Sequence, residues 1–219
     1  MDSLEKTILA KSTLPAQELL KIACENEPQI TAVLAEIAST VSAEMVGLEH
    51  KFKTEASLTR KIADESAKSA KSLMDFGYST DEAIEKSTKR QSARNNDALR
   101  YTFLFPFDKY LFGFKQSLQR LKQNGLKIPE NRIWNAWKNI GTPFDKGYRG
   151  INITIISSQG QKFELQFHTR ESYELKTKTH YLYQESRQNQ TPPARKIEIA
   201  EIIIGLAHKV KTPKGVRKL

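Results

Sequence analysis

The feature that most constrains this chain is a pair of short runs in which apolar side chains alternate with polar ones. The runs cover residues 151–156 and 162–168, and only five residues separate them. Alternation with a period of two is typical of a β-strand that buries one face. Gly160 supplies the left-handed residue that a three-residue hairpin loop needs. The sequence therefore predicts an antiparallel hairpin in which Ser157 lies opposite Gln161.

This register divides the side chains of the hairpin between two chemically different faces. The apolar face carries Ile151, Ile153, Ile155, Phe163, Leu165 and Phe167. The other face carries Asn152, Thr154, Glu164, Gln166 and His168, with Gly150 opposite His168. Such a polar face is typical either of an ordinary half-solvated sheet or of a site. Tyr148 and Arg149 come just before the hairpin, and an aromatic ring beside cations suits a nucleobase and its phosphates.

The rest of the chain changes from helical to strand periodicity near residue 100. The first ninety residues predict separate helices that start at Pro15, near Pro28, at about residue 55 and after Ser79. The later elements are a strand at 101–105, a helix ending near residue 125, a strand at 132–138 and helices at 171–188 and 194–210. The predicted fold class is α+β, a mixed β-sheet flanked by helices with a helical N-terminal part. The predicted segments are residues 1–50 (helical), 51–190 (main domain) and 191–219 (C-terminal helix and basic tail).

The charge balance indicates which partners suit this chain. Thirty-five Lys and Arg residues against 25 Asp and Glu residues give a net charge of +10. Such an excess favours polyanionic partners such as nucleotides or RNA. The clearest basic cluster lies at residues 209–219, which contain five cations and no acid. This pattern favours a solvated, frayed tail over an RNA contact.

Composition excludes several other classes of function. Cys24 is the only cysteine, which rules out an internal disulfide and a Cys-rich zinc site and suits a reducing compartment. The sequence contains no His-x-x-x-His spacing, no Walker-type glycine loop and no Gly-x-Ser-x-Gly elbow. Its longest apolar run, residues 202–207, is far too short to span a bilayer. We therefore expect a protein that acts in the cytoplasm and has no membrane partner.

Several short motifs follow one another in the order found in one enzyme family. They are Lys53-x-x-x-Ser57-Leu58-x-x-Lys61, Asp97, Lys138-Asn139, Tyr148-Arg149-Gly150-Ile151-Asn152, Glu164-Leu165-Gln166-Phe167-His168-Thr169, and His180 with Tyr183. Together they resemble the RelA/SpoT-type nucleotide pyrophosphokinases (alarmone synthetase domains). The resemblance implies a nucleotidyltransferase-like mixed sheet flanked by helices. It also implies transfer of the β,γ-pyrophosphate of ATP to the ribose 3′-hydroxyl of an acceptor nucleotide.

The resemblance further implies a role for each matched residue. The expected catalytic residues are Asp97, Glu164 and Gln166. The two carboxylates would bind Mg²⁺, and Glu164 would also accept the 3′-hydroxyl proton. Gln166 would position the acceptor. The residues expected to bind ATP and its phosphates are Lys53, Ser57, Lys61, Arg100, Lys138 and His168. Those expected to bind the acceptor are Tyr148, Arg149, Asn152 and His180, with Tyr148 stacked on the base.

Departures from the family pattern indicate which branch the chain resembles. Asn152 stands where the family has histidine, and His168 stands where it has arginine. These changes resemble a divergent branch found in bacterial toxin domains. The expected product is (p)ppGpp-like or (p)ppApp-like. The expected place of action is the bacterial cytoplasm, and delivery as part of a secreted toxin is one route to it. An inhibitor (immunity or antitoxin) protein is an expected partner. Two alternatives stay open: a toxin that pyrophosphorylates the 3′ end of tRNA, and a non-catalytic basic RNA-binding module.

Overall fold

The computed structural model describes residues 3–188 and 190–219, in which seven helices and five strands occur. The helices are α1 (Ser3–Thr40), α2 (Glu55–Asp75), α3 (Thr80–Arg94), α4 (Tyr110–Gln123), α5 (Pro143–Gly147), α6 (Arg170–Ser186) and α7 (Pro193–Ala207). The strands are β1 (Glu44–Val46), β2 (Arg100–Phe105), β3 (Ile133–Asn135), β4 (Ile151–Ile156) and β5 (Lys162–Thr169). The first two residues of the predicted helical segment 1–50 lie outside the described residues.

The strands form one mixed sheet in the order β1-β2-β5-β4-β3. Strand β1 pairs antiparallel with β2, and β3 pairs antiparallel with β4. Helices flank this sheet, so the predicted α+β class is confirmed. In the described part of the chain, no helix is both long and apolar enough to cross a bilayer.

The hairpin of β4 and β5 has the predicted register. The Ser157 N–H donates to the Gln161 carbonyl oxygen at 2.9 Å, and Gly160 has a φ of +84°. The six side chains of the predicted apolar face are at most 1% exposed. On the opposite face Thr154, Gln166 and His168 are also buried, so this face is far less solvated than that of an ordinary surface sheet.

The prediction of separate helices starting at Pro15 and near Pro28 is wrong, because α1 runs through both prolines. Each interior proline removes a backbone hydrogen bond and costs about 3 kcal/mol in an isolated helix. A stripe of buried side chains nevertheless continues past both positions: Ile8, Ser12, Ala16, Ala23, Ile30, Leu34 and Ile37. Burial of one helix face over this whole length outweighs the local cost of the prolines.

The described chain divides into two compact units. The first unit contains the stretch up to Ala32, Glu49–Arg100 and Ile155–Glu164, and the second contains Val33–Leu48, Tyr101–Thr154 and Leu165–Leu219. In the first unit, α2 and α3 pack together around an apolar core. In the second unit, the Tyr110 hydroxyl donates to the Phe167 carbonyl oxygen at 2.8 Å and accepts from Trp137 Nε1 at 3.0 Å. Both units combine non-contiguous stretches of the chain. The predicted segments 1–50, 51–190 and 191–219 are contiguous, and their boundaries stay a prediction.

Two sequence-based expectations about the second unit need correction. The predicted strand at 132–138 ends at Asn135, because the Asn135 side chain accepts from the Trp137 N–H at 3.1 Å and starts a 3₁₀ turn, Ala136–Lys138. The basic tail is packed and not frayed. Val216 is fully buried, and its carbonyl oxygen accepts from Asn135 Nδ2 at 2.8 Å. One apolar side chain with a hydrogen-bonded backbone is enough to anchor this short segment.

Candidate functional site

The first candidate site lies in the first unit, where a short backbone pairing brings charged residues together. Phe52 forms an isolated antiparallel bridge with Leu99. The Lys53 N–H donates to the Ala98 carbonyl oxygen at 3.0 Å, and the Arg100 N–H donates to the Lys51 carbonyl oxygen at 2.7 Å. These two hydrogen bonds hold Lys53 beside the residues that immediately precede β2.

Asp97 forms two ion pairs with lysines at this position. Lys53 Nζ lies 2.7 Å from Asp97 Oδ2, and Lys61 Nζ lies 3.0 Å from Asp97 Oδ1. Lys61 comes from α2, which begins after Thr54, whose side chain accepts from the Ser57 N–H at 3.3 Å. The two lysines and the aspartate, all predicted site residues, are therefore in direct contact, and Ser57 lies one turn before Lys61 on the same helix.

The electrostatics of these ion pairs favour charged side chains despite their burial. Burial would raise the pKa of Asp97, but the charges of Lys53 and Lys61 outweigh it and lower that pKa well below its ordinary value. Burial lowers the pKa of Lys53, Asp97 counteracts this change, and the charges of Lys61 and Arg100 add to it. Arg100 is thus close enough to act on Lys53, and its buried Nε has no hydrogen-bond partner among the described residues.

We name Lys53, Lys61, Asp97 and Arg100 the lysine–aspartate cluster. It contains three cations and one carboxylate, so its formal charge is +2. Lys53 is buried, and Lys61 and Arg100 are half-buried. Part of this positive excess is therefore desolvated, and an anion that compensates for it would be favoured. Glu164 belongs to the same unit, where its N–H donates to the Leu99 carbonyl oxygen at 3.0 Å and its side chain is half-buried.

The second candidate site lies in the second unit and centres on the hydroxyl of Tyr148. This oxygen donates to Asn152 Oδ1 at 2.9 Å and lies 2.8 Å from His168 Nε2. The other ring nitrogen of His168, Nδ1, lies 2.9 Å from Ser172 Oγ. We name Tyr148, Asn152, His168 and Ser172 the tyrosine–histidine cluster. Two of its members, Asn152 and His168, are the positions at which the sequence departs from the family pattern.

His168 is uncharged in this environment. Its side chain is fully buried, and burial together with the positive charge of Lys176 lowers its pKa well below the ordinary value. A neutral imidazole donates through one nitrogen and accepts through the other. The two ring nitrogens of His168 face the hydroxyls of Tyr148 and Ser172, each of which is able to donate or accept. The expectation that His168 contacts phosphate stays a prediction, and the buried ring exposes no surface for such a contact.

Gly150 and Trp134 shape the surroundings of Tyr148. A Cβ atom on Gly150 would lie 2.9 Å from His168 Cε1 and 3.1 Å from Tyr148 Cε1, so only glycine lets these rings approach. The volume above Gly150 is therefore filled by the protein's own side chains. Trp134 stacks on Tyr148 with ring centroids 5.2 Å apart and an angle of 18° between the planes.

The other predicted residues of the second unit lie in varied environments. Gln166 is buried, and its Oε1 accepts from Lys176 Nζ at 2.5 Å. Arg149 is buried and donates through Nη1 to the carbonyl oxygens of Lys146 and Tyr148. Lys138 is exposed at the end of its 3₁₀ turn, and His180 is exposed on α6, with Nε2 3.2 Å from Gln184 Nε2.

Lys176 and Ser172 are residues that sequence reasoning missed. Both lie on one face of α6 at a spacing of four, and each contacts a residue of the polar face of β5. The helical spacing is visible in the sequence. The choice of which α6 face covers β5 is not, since it depends on how the helix packs.

Comparison with known proteins gives a structural similarity only. No protein-family model and no curated protein matches this chain. A chain of the crystal structure of the complex between the Type VI effector Tas1 and its immunity protein aligns with 89% of this chain and 96% of its own length. The TM-score is 0.49 and the sequence identity is 15%.

Proposed function

We propose that this protein is an ATP-dependent pyrophosphokinase that transfers the β,γ-pyrophosphate of ATP to the 3′-hydroxyl of a purine nucleotide. The observation that carries the proposal is the lysine–aspartate cluster. Lys53 and Lys61 pair with the single carboxylate of Asp97, and Arg100 adds a third positive charge near Lys53. A triphosphate is an anion of the size and charge that would compensate for the excess. In the sequence analysis, Lys53, Lys61 and Arg100 are predicted to bind ATP and its phosphates, and Asp97 is predicted to bind Mg²⁺.

Asp97 and Glu164 are the residues that would hold Mg²⁺. Their carboxylate oxygens are the type of donor atom that this ion prefers. Mg²⁺ prefers hard oxygen ligands and is commonly bound by one or two carboxylates together with substrate phosphates. Among the described residues there is no group of three or more potential metal-binding side chains, so phosphate oxygens and water must complete the coordination. When bound, the ion would neutralise charge on the pyrophosphoryl oxygens. Lys53 and Lys61 occupy the Asp97 oxygens, so we expect Mg²⁺ to bind weakly in the absence of nucleotide.

Glu164 is the residue we assign to the proton transfer. In the reaction the acceptor 3′-oxygen attacks the β-phosphorus of ATP, and the bond from that phosphorus to the oxygen it shares with the α-phosphate breaks. AMP leaves with that oxygen, and the hydroxyl proton passes to the Glu164 carboxylate. The Glu164 N–H donates to the Leu99 carbonyl oxygen, which fixes this residue of β5 beside the residues that precede β2.

The tyrosine–histidine cluster is proposed to bind the acceptor base. The cluster is neutral, and the ring of Tyr148 is fixed by its hydroxyl, so the ring is oriented before any ligand arrives. An uncharged, preorganised aromatic surface suits a base better than a phosphate.

A transfer assay tests the proposed function. The protein is incubated with γ-labelled ATP and Mg²⁺ plus GDP, GTP, AMP, ADP or tRNA, with Glu164→Gln as the inactive control and exposed Glu174→Gln as the matched control. We expect labelled nucleotide carrying a 3′-pyrophosphate, formed by the Glu174→Gln variant but not by Glu164→Gln. Label found only in tRNA would contradict the nucleotide acceptor, and no transfer to any acceptor would contradict the enzyme.

A toxic role is part of this proposal and has its own test. Consumption of ATP and acceptor nucleotides would stop growth, so induced expression in bacteria should arrest division while Glu164→Gln should not. A neighbouring coding sequence whose product relieves the arrest would supply the expected inhibitor. Normal growth during production of an enzyme that is active in the transfer assay would contradict the toxic role alone.

A further inference from the structure

Lys176 is a cation of α6 that has no part in the proposed mechanism so far. Its Nζ donates to Gln166 Oε1 on β5 at 2.5 Å, and Thr102 Oγ1 on β2 lies 3.5 Å from the same oxygen. Gln166 is buried and Lys176 is half-buried. A charge-assisted hydrogen bond in such partly desolvated surroundings is stronger than one between neutral groups. The Gln166 side chain is therefore held from α6 before any ligand binds.

This contact determines which way the Gln166 amide points. An ammonium group has three donors and no acceptor, so the amide atom that faces Lys176 must be the carbonyl oxygen. The Thr102 hydroxyl is able to donate to the same oxygen. The amide nitrogen Nε2 carries the two N–H donors and lies on the opposite side of the amide group. Gln166 therefore presents donors, and not an acceptor, on the side away from Lys176.

Lys176 also acts on the tyrosine–histidine cluster. Its Nζ lies 5.5 Å from the centroid of the Tyr173 ring, and this ring makes an edge contact with His168 at 6.0 Å between centroids. Burial and then the charge of Lys176 lower the pKa of His168. Within the second unit, Lys176 thus influences both Gln166 and the cluster that we assign to the acceptor base.

We propose that Lys176 is a positioning residue that makes Gln166 a hydrogen-bond donor to the acceptor nucleotide. This inference rests on the proposed function and on the predicted role of Gln166 in positioning the acceptor. The 3′-hydroxyl proton is assigned to Glu164, so an amide oxygen facing that hydroxyl would compete with Glu164 for the proton. An amide that presents N–H groups donates to an oxygen of the acceptor and leaves the proton to Glu164.

Steady-state kinetics of the transfer reaction test this role. The test variant is Lys176→Met, which keeps the length of the side chain but removes its donors. Lys176→Met should raise the acceptor KM at least about tenfold, with the KM for ATP unchanged, because a charge-assisted hydrogen bond is lost. Lys176→Arg keeps the charge and the donors and should recover most of this loss. The matched control, Lys178→Met at an exposed position of α6, should change either KM by less than about twofold.

A double-mutant cycle separates an effect through Gln166 from a direct contact with the acceptor. The effect of Lys176→Met is measured in the wild-type chain and in the Gln166→Met chain. An effect that acts through Gln166 should disappear in the second background. An equal loss in both backgrounds would mean that Lys176 binds the acceptor itself, and this result would overturn the proposal.

A measurement on the free protein keeps this inference separate from the proposed function. Nuclear magnetic resonance of the isotope-labelled chain identifies the Gln166 side-chain amide by the signal that is missing in Gln166→Met. Lys176→Met should shift this signal and Lys178→Met should not. Thermal unfolding identifies a variant that does not fold, and Lys176→Gln then replaces Lys176→Met with the same expectations.

The outcomes distinguish the two proposals. Absence of transfer by the wild-type chain would contradict the proposed function and the inference with it. Transfer by the wild-type chain with an unchanged acceptor KM in folded Lys176→Met would overturn the role of Lys176 alone. An unshifted Gln166 signal in the same variant would also overturn that role, because the contact would then not orient the amide.

Discussion

The lysine–aspartate cluster of the first unit and the tyrosine–histidine cluster of the second unit both bury polar groups next to a strand, but they compensate for burial differently. Lys53 and Asp97 stay charged and rely on ion pairs of 2.7 Å and 3.0 Å. His168 stays neutral and relies on hydrogen bonds to Tyr148 and Ser172. The lysine–aspartate cluster therefore has an excess of positive charge that could attract an anionic ligand. The tyrosine–histidine cluster is neutral, and its hydrogen bonds fix the orientation of its rings.

Because of this difference, a substitution should cost more stability in the lysine–aspartate cluster than in the tyrosine–histidine cluster. Removing a charge from a buried ion pair leaves its partner uncompensated, and the cost is several kcal/mol. Removing one neutral hydrogen bond costs about 1 kcal/mol. The two clusters should also respond differently to pH, since only His168 has a side chain whose unfolded-state pKa lies near neutrality.

The largest effect is expected from Glu164→Gln, which tests the carboxylate that lies in the same unit as the lysine–aspartate cluster. The amide keeps the size of the side chain but removes the charge that accepts the proton, so turnover should fall at least ~100-fold. Thermal unfolding should stay unchanged. The assay is the rate of transfer from labelled ATP, with Glu174→Gln as the control. Transfer at the wild-type rate in folded Glu164→Gln would remove Glu164 from the mechanism.

Asp97→Asn should give the next largest effect, on stability. The substitution leaves Lys53 and Lys61 without their carboxylate, and we expect the free energy of unfolding to fall by about 2 kcal/mol, less than for a fully buried pair because Asp97 is 13% exposed. Urea denaturation measures the change, and Asp75→Asn at the exposed end of α2 is the control. An unchanged free energy would show that the ion pairs add nothing to the fold.

The tyrosine–histidine cluster should make stability depend on pH through His168. Its folded-state pKa is lowered, so the unfolded chain binds the proton more tightly, and stability is lost as pH falls below the unfolded value of about 6.5. The loss should reach up to ~1.4 kcal/mol per pH unit. His168→Gln should remove this slope between pH 7 and pH 5, and exposed His208→Gln should keep it. Equal slopes in the two variants would contradict the assignment.

The smallest effect is expected from Tyr148→Phe. A ring that only stacks on a base would tolerate loss of its hydroxyl, but this hydroxyl contacts both Asn152 and His168. We therefore expect the acceptor KM to rise about fivefold, with the KM for ATP unchanged, because about 1 kcal/mol of orientation is lost. Steady-state kinetics measure both constants, and exposed Tyr181→Phe is the control. A parallel rise in both KM values would mean that Tyr148 supports the fold and not the acceptor.

Elements that depend on interactions between neighbouring residues could be predicted from the amino-acid sequence. The hairpin register follows from side-chain alternation and from Gly160, and the end of α4 follows from Asn124-Gly125. Two of the ordered motifs contain Lys53, Lys61 and Asp97, and in the structure each lysine forms an ion pair with Asp97.

Packing between distant parts of the chain sets which faces are covered and which side chains stay charged there. Burial of one side of α1 overrides two prolines, and Val216 anchors a tail whose composition is typical of solvated chain. The neutral state of His168 and the contact of Lys176 with Gln166 depend on the α6 face that packs against β5. The physical reason is that burial and electrostatic interactions arise between residues far apart in sequence, whereas turn chemistry and side-chain periodicity act between neighbours.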